Sequence, residues 1–177
     1  MDQQVLAAMA KWPNVPAVFG WLALDARGQW RLQGKLLSQA AMTAFFGRNY
    51  QADAAGRWFV QNGPQRVYVA LDAAPLILRR HPGAWQAAPT GARAKVNALF
   101  ITPEGEMYAD FSGTLALLDD RDLAGVQAEC LPDWDGELAN LPAKRMCDGE
   151  VLTLAPACAA DLRARFGVCV APMADAG

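Results

Sequence analysis

The sequence predicts an α+β fold built from antiparallel β-hairpins with a few short helices, on three observations. The first is Gly56–Asp72, GRWFVQNGPQRVYVALD. Trp58 to Gln61 reads as one strand, Asn62-Gly63 as the turn, and Gln65 to Leu71 as the return, because Asn and Gly tolerate the positive φ of a tight hairpin turn. On the return strand Val67, Val69 and Leu71 share one face, and Arg66, Tyr68 and Ala70 share the other. The second observation is that strand–turn–strand patterns recur around Asp25–Gly28, Thr102–Gly105 and Asp148-Gly149. The third is that helical spacing is confined to short segments.

Residues 1–11 predict a helix with Val5, Leu6 and Met9 on one face, ended by extended chain at Trp12–Pro16, where two prolines disfavour helix. Gly20 to Leu24 is a strand, turned by Asp25–Gly28 and answered by Gln29 to Gln33. Leu36 to Arg48 is a helix, with Ser38 as N-cap and Ala41, Met42, Phe45 and Phe46 at helical spacing. After the Gly56–Asp72 hairpin, Pro75 to Leu78 reads as an edge strand, since proline cannot donate to a ladder. Residues 81–94, HPGAWQAAPTGARA, lack periodicity and read as a loop or linker. Asn97 to Ile101 and Glu106 to Phe111 form a hairpin. Asp119 to Gln127 is a short helix, and Leu131 to Leu141 is irregular. Lys144 to Ala155 is a hairpin turning at Asp148-Gly149. Ala157 to Phe166 is a helix stopped by Gly167, and Val168 to Val170 is a last strand.

The order hairpin, helix, hairpin therefore occurs twice. Leu22, Leu24, Gly28 and Trp30 align with Leu99, Ile101, Gly105 and Met107, and Asn62-Gly63 with Asp148-Gly149. Charge divides similarly. Residues 1–95 hold 11 Lys+Arg against 4 Asp+Glu, and residues 96–177 hold 5 against 14. The expected organisation is a basic half, 1–95, and an acidic half, 96–177, or one continuous domain.

At 177 residues and 53% hydrophobic, the chain is long and apolar enough to bury a core. No apolar run reaches the ~20 residues that span a bilayer, and the opening MDQQVLAAMAKW lacks a basic n-region, so the expectation is a cytoplasmic protein without a membrane partner. A pI near 5.3 argues against a nucleic-acid partner. The four cysteines, Cys130, Cys147, Cys158 and Cys169, form no CxxC knuckle. Free thiols suit a cytoplasmic chain, with Cys130–Cys147 or Cys158–Cys169 bridges as the alternative.

No GxSxG, GxGxxG or GxxxxGK[ST] motif is present, so common nucleophile elbows and nucleotide cradles are lacking. The single histidine, His81, must serve any His-dependent catalysis, and no motif surrounds it. Asp119, Asp120 and Asp122 are the weak metal candidates; as an ordinary helix start, Asp119 or Asp120 would cap the helix and the others would favour its dipole. No metal or cofactor is expected. The candidate ligand-binding residues are Asn49, Tyr50, Gln61, Gln65 and Arg66, a polar cluster suited to an anionic or amide-bearing ligand, or, as the other surface, Arg80, His81 and Trp85 at the 81–94 loop.

WPNVPAVFGWLALDARGQW (12–30), RNYQADAAGRWFVQNGPQRVYV (48–69) and DDRDL (119–123) together resemble a family of uncharacterised proteobacterial proteins. The resemblance implies a bacterial, cytoplasmic, stand-alone protein and transfers no catalytic residue. The expected function is a non-catalytic binding or accessory protein with an arginine-containing face, its partner a small anionic ligand or a protein. The alternative is a small enzyme acting on an anionic substrate. Exposed hairpin edges add self-association as a homodimer.

Overall fold

The computed structural model describes residues 1–12, 15–81, 84–147 and 149–174. The expectations at Pro13, Asn14, Pro82, Gly83 and Asp148 lie outside the described residues. The chain is α+β and forms two compact units, Met1–Pro75 with the segment from Gly167, and Leu76–Phe166.

The first unit contains α1 (Gln3–Lys11), β1 (Val18–Leu24), β2 (Trp30–Leu32), β3 (Lys35–Leu36), α2 (Ala40–Arg48), β4 (Tyr50–Ala52), β5 (Trp58–Asn62) and β6 (Gln65–Leu71). Its sheet runs β3-β2-β1-β6-β5-β4. All neighbours are antiparallel except β1 and β6, which are parallel. One face of this sheet carries the core: Leu22, Leu24, Trp30, Tyr50, Val60, Val69 and Leu71, with Phe45 and Phe46 of α2 packed against them. Trp30 sits edge-on to both Tyr50 and Phe46, at 5.2 and 5.4 Å between ring centroids.

Three expectations shift in this unit. Ser38 is not the N-cap of α2; Gln39 holds that position, without a side-chain cap bond, because Lys35–Leu36 forms a short edge strand and delays the helix. Leu6 faces solvent, so only Val5 of the expected α1 stripe is fully buried. The long hairpin turns one residue later than Asn62-Gly63. Asn62 pairs with Gln65, leaving Gly63-Pro64 as the two central residues, with Gly63 at φ +57°. Glycine supplies the positive φ at the first of these positions, and proline needs no ladder N–H at the second.

The second unit contains β7 (Leu76–His81), β8 (Ala84–Ala88), β9 (Ala92–Ala94), β10 (Val96–Ile101), β11 (Met107–Phe111), β12 (Thr114–Leu118), α3 (Leu123–Cys130), a 3-10 turn (Leu138–Asn140), β13 (Lys144–Cys147), β14 (Glu150–Pro156) and α4 (Ala159–Arg165). Its eight-stranded sheet runs β13-β14-β10-β11-β12-β7-β8-β9. Val126 and Cys130 of α3, with Leu131, enter a core made by Leu78, Trp85, Leu99, Ile101, Met107, Leu118, Leu152 and Leu154.

Three corrections concern this unit. Pro75–Leu78 is not an edge strand: β7 lies inside the sheet between β12 and β8, and Pro75 falls just before the ladder, so its missing N–H costs nothing there. Residues 81–94 are not a linker. They supply β8 and β9; Trp85 and Ala87 of β8 are buried, and Gln86 and Arg93 face each other across the pair. Asp119 and Asp120 do not cap α3, which starts after Asp122. In the first unit, the expected strand at Val168–Val170 reduces to a single bridge between Arg57 and Cys169.

One turn design appears three times. In Asp25–Gln29, Asp53–Arg57 and Thr102–Glu106 the first residue's N–H donates to the fifth residue's carbonyl. The fourth is a glycine at positive φ, and the first side chain accepts from the fifth backbone N–H. Asp and Thr suit the first position because their short side-chain oxygens reach their own turn. One pairing pattern also occurs in both units. β1 pairs antiparallel with β2 and parallel with β6, and β10 pairs antiparallel with β11 and parallel with β14.

Candidate functional site

The β5–β6 register sets the site. Gln61 stands opposite Arg66 and Phe59 opposite Tyr68, so these four side chains share one face of the sheet. Val60 and Val67 point the other way, into the core. Arg57, two positions before Phe59, extends the polar row. The result is a pair of open hollows that share Arg57 and Arg66 in their walls. One, of about 470 Å³, is lined by Met9, Trp12, Val15, Ala17, Gln61, Pro64 and Tyr68. The other, of about 500 Å³, is lined by Gln51–Ala55 and Phe59.

Aromatic rings hold the arginines. The Arg57 guanidinium lies 5.1 Å from the Tyr68 ring and that of Arg66 4.8 Å from the Phe59 ring. Phe19 stacks on Tyr68 at 4.4 Å, fixing its ring. Arg57 is committed: its Nε donates to Asp53 Oδ2 at 2.8 Å, and the Tyr68 hydroxyl donates to the same oxygen at 3.0 Å. Burial pushes the Asp53 carboxyl up. The hydrogen bonds from Arg57, Tyr68 and the backbone N–H groups of Arg57 and Ala55 outweigh it and hold the group below its ordinary range. Arg66 is exposed and makes no ion pair among the described residues. Gln61, a residue of the first hollow's wall, is 1% exposed; its Nε2 donates to the Gly63 carbonyl at 3.0 Å, while its buried Oε1 has no hydrogen-bond partner among the described residues.

Of the expected polar cluster, the structure brings Gln61 and Arg66 together and separates the rest. Tyr50 pairs with Val60, so it lies on the core face, where burial raises its hydroxyl well above the ordinary tyrosine range. Asn49 is structural: its Oδ1 accepts from the Asp2 N–H at 2.8 Å and its Nδ2 donates to the Phe45 carbonyl, tying α1 to the end of α2. Gln65 donates to the Pro16 carbonyl at 3.2 Å. Arg57, Tyr68 and Trp12 are the wall residues that sequence reasoning left out of the site. Carrying the hairpin register one pair further places Tyr68 and Arg57 beside Gln61 and Arg66.

Arg80, His81 and Trp85 belong to the second unit. Trp85 is a buried strand residue rather than a loop tip, with the Arg80 guanidinium 4.8 Å from its ring. Arg80 also donates to Glu129 at 3.3 Å. His81 ends β7, exposed. The acidic cluster is bound by arginine. Asp119 is fully buried, accepts from Arg121 Nε at 2.7 Å, and lies 3.9 Å from Arg79; Asp122 accepts from Arg79 Nε and the Arg80 N–H at 2.8 Å each. The bonds from Arg121 bring the Asp119 carboxyl down to about 2. Asp120 is exposed beside them. Carboxylates so engaged do not converge on a common point as metal ligands do.

The cysteines divide. Cys130 and Cys147 are disulfide-bonded, with Cα atoms 5.0 Å apart, and Cys158 and Cys169 are free. The bond joins the last residue of α3 to the last of β13. Cys147 also lines a groove of about 350 Å³ with Trp85, Arg93, Lys95 and Glu150, between the two ends of the eight-stranded sheet.

A family model headed DUF2944, with the description "Protein of unknown function (DUF2946)", matches residues 1–173. The chain belongs to this family. No protein of curated function matches it. In fold it is similar to a DUF1285 family protein from Silicibacter pomeroyi DSS-3, with a TM-score of 0.54 and 14% identity, over 88% of this chain and 96% of that one. A DUF1285 family protein from Shewanella baltica OS155 is similar at a TM-score of 0.44 and 18% identity, over 59% of this chain and 88% of that one.

Proposed function

We propose that this protein is a non-catalytic binding protein that takes a small anionic ligand in the cleft of its first unit. The observation that carries the reading is the pairing of an uncommitted arginine, Arg66, with a buried and unpartnered acceptor, Gln61 Oε1, in one wall. A buried polar group left unpaired is costly, so such an atom marks a place where a partner completes the structure. The chemistry on offer is recognition rather than proton transfer. Asp53 is held ionised by Arg57, and the Tyr68 hydroxyl is spent on Asp53. A thermal-shift screen against monocarboxylates, phosphates and sulfates tests it. The expected result is a rise in melting temperature with one anion class that Arg66→Ala abolishes. A shift that survives Arg66→Ala would place binding elsewhere.

We also propose a bacterial cytoplasmic setting, from the family resemblance; no described helix is long and apolar enough to cross a membrane. The Cys130–Cys147 bond pulls against that setting, since cytosolic thiols are kept reduced. Thiol titration of protein taken directly from cells decides between them. The halves 1–95 and 96–177 are proposed as copies of one hairpin–helix–hairpin unit, supported by the shared threading of β1 and β10. Comparing the halves across relatives tests this, and similarity at chance level would overturn it.

A further inference from the structure

The cleft's chemistry narrows the ligand further, on the reading that it binds an anion. We infer that its ligand is an acylamino carboxylate, a carboxylate with an amide N–H one carbon away, carried either by a free N-acyl amino acid or by the C-terminus of a peptide.

Three features of the walls lead there. First, the lining carries two arginines and one carboxylate, Asp53, so it presents a single net positive charge. With Arg57 turned onto Asp53, one guanidinium fork remains, that of Arg66. A planar fork matches a planar carboxylate in two parallel hydrogen bonds. A phosphate dianion would leave one negative charge uncompensated. Second, Gln61 stands directly across the hairpin from Arg66 and its free atom is an acceptor. A ligand made only of acceptors, such as sulfate or a bare carboxylate, leaves Oε1 unpaired and sets oxygen against oxygen. The ligand must bring a donor within a few bonds of its anionic group, and the amide N–H of an acylamino carboxylate is so placed. Third, Met9, Trp12, Val15, Ala17 and Pro64 make the remaining wall apolar. Trp12 is 51% exposed, with Lys11 over its ring, and offers a surface to an apolar side chain.

The test is calorimetric titration of the full chain with N-acetylphenylalanine, its N-methylated analogue, its carboxamide, inorganic phosphate, and a short peptide ending in phenylalanine with a free carboxylate. N-acetylphenylalanine is expected to bind. Methylating the nitrogen is expected to weaken binding about tenfold or more, because Gln61 Oε1 then stays buried without a donor. The carboxamide should lose comparable affinity by losing the Arg66 pair. In Gln61→Leu the ratio between N–H and N-methyl ligands should collapse toward one, a readout that a change in stability does not mimic. Tighter binding of the peptide than of the free N-acyl amino acid assigns the ligand to a protein C-terminus; the reverse assigns it to a metabolite. Equal binding of the N–H and N-methyl forms by the native protein overturns the inference. So does phosphate binding that depends on Arg66 without any N-acyl binding, which leaves the anion cleft standing. No binding by any probe, together with no rise in melting temperature with any anion class, removes the cleft reading as well.

Discussion

A Cβ on Gly56 would lie 1.6 Å from the carbonyl oxygen of Gly167, so these two glycines touch backbone to backbone. The Cys169 N–H donates to the Gly56 carbonyl at 3.0 Å beside this contact, and the Leu71 N–H to the Val170 carbonyl at 2.8 Å. This is how the segment after Gly167 joins the first unit, more than ninety residues from Gly56 in sequence. Only a residue without a Cβ permits the approach, and Gly56 also holds φ +73° in its turn.

Gly56→Ala is therefore expected to cost at least about 3 kcal/mol, from steric overlap plus left-handed strain. Gly20 provides the control. It has φ +75° and open space around it, so Gly20→Ala should cost only the conformational penalty, about 1–2 kcal/mol. Urea unfolding of both variants measures the difference. Equal costs would mean that the Gly56–Gly167 contact contributes nothing.

Asp119 predicts the acid limb of stability. Its carboxyl titrates at about 2 in the folded chain and near 3.9 when unfolded. A lowered folded value means that the stabilisation is complete above about pH 4 and is lost as pH falls toward 2. Its size is on the order of 2 kcal/mol. Asp119→Asn should be less stable than the native chain by about that much at pH 7, with the gap closing between pH 4 and 2. A gap independent of pH would show that the loss is packing rather than charge.

The Cys130–Cys147 bond closes a loop across a sequence separation of 17. By loop-closure entropy its removal should cost about 3 kcal/mol. Denaturation of Cys147→Ser against the oxidised native chain measures this. A native chain whose urea midpoint is unmoved by reductant would contradict it.

Tyr68 separates ring from hydroxyl. Tyr68→Phe keeps the stack on Phe19 and removes one of several bonds to Asp53, so it should cost only about 1 kcal/mol. Tyr68→Ala removes a buried ring and should cost about 3–5 kcal/mol. Thermal unfolding of the pair checks the order.

The hairpins were legible because their causes are local. Asp25 and Thr102 each reach their own turn, and a glycine follows three residues later where positive φ is required; the same design at Asp53 went unread because its first strand, β4, is only three residues long. Half of the site was legible for the same reason. Alternation put Arg66 with Tyr68, but the expected loop at Asn62-Gly63 would set Gln61 against Pro64; the loop at Gly63-Pro64 sets it against Arg66. Tyr50 was misplaced because its face depends on which strand β5 meets on its far side. That strand is β4, in a register that sends the ring into the core with Trp30.

By itself the sequence determined the fold class, the turns, most strand and helix positions, and the polar row on the β5–β6 face, since φ preference and side-chain alternation act over a few residues. Only the tertiary structure decided that β7 is an interior strand, that residues 84–94 are strands rather than a linker, that Asp119 is buried on arginine, and that Cys130 pairs with Cys147. Each of those depends on a partner distant along the chain, chosen by burial and by backbone groups that must be paired once water is excluded.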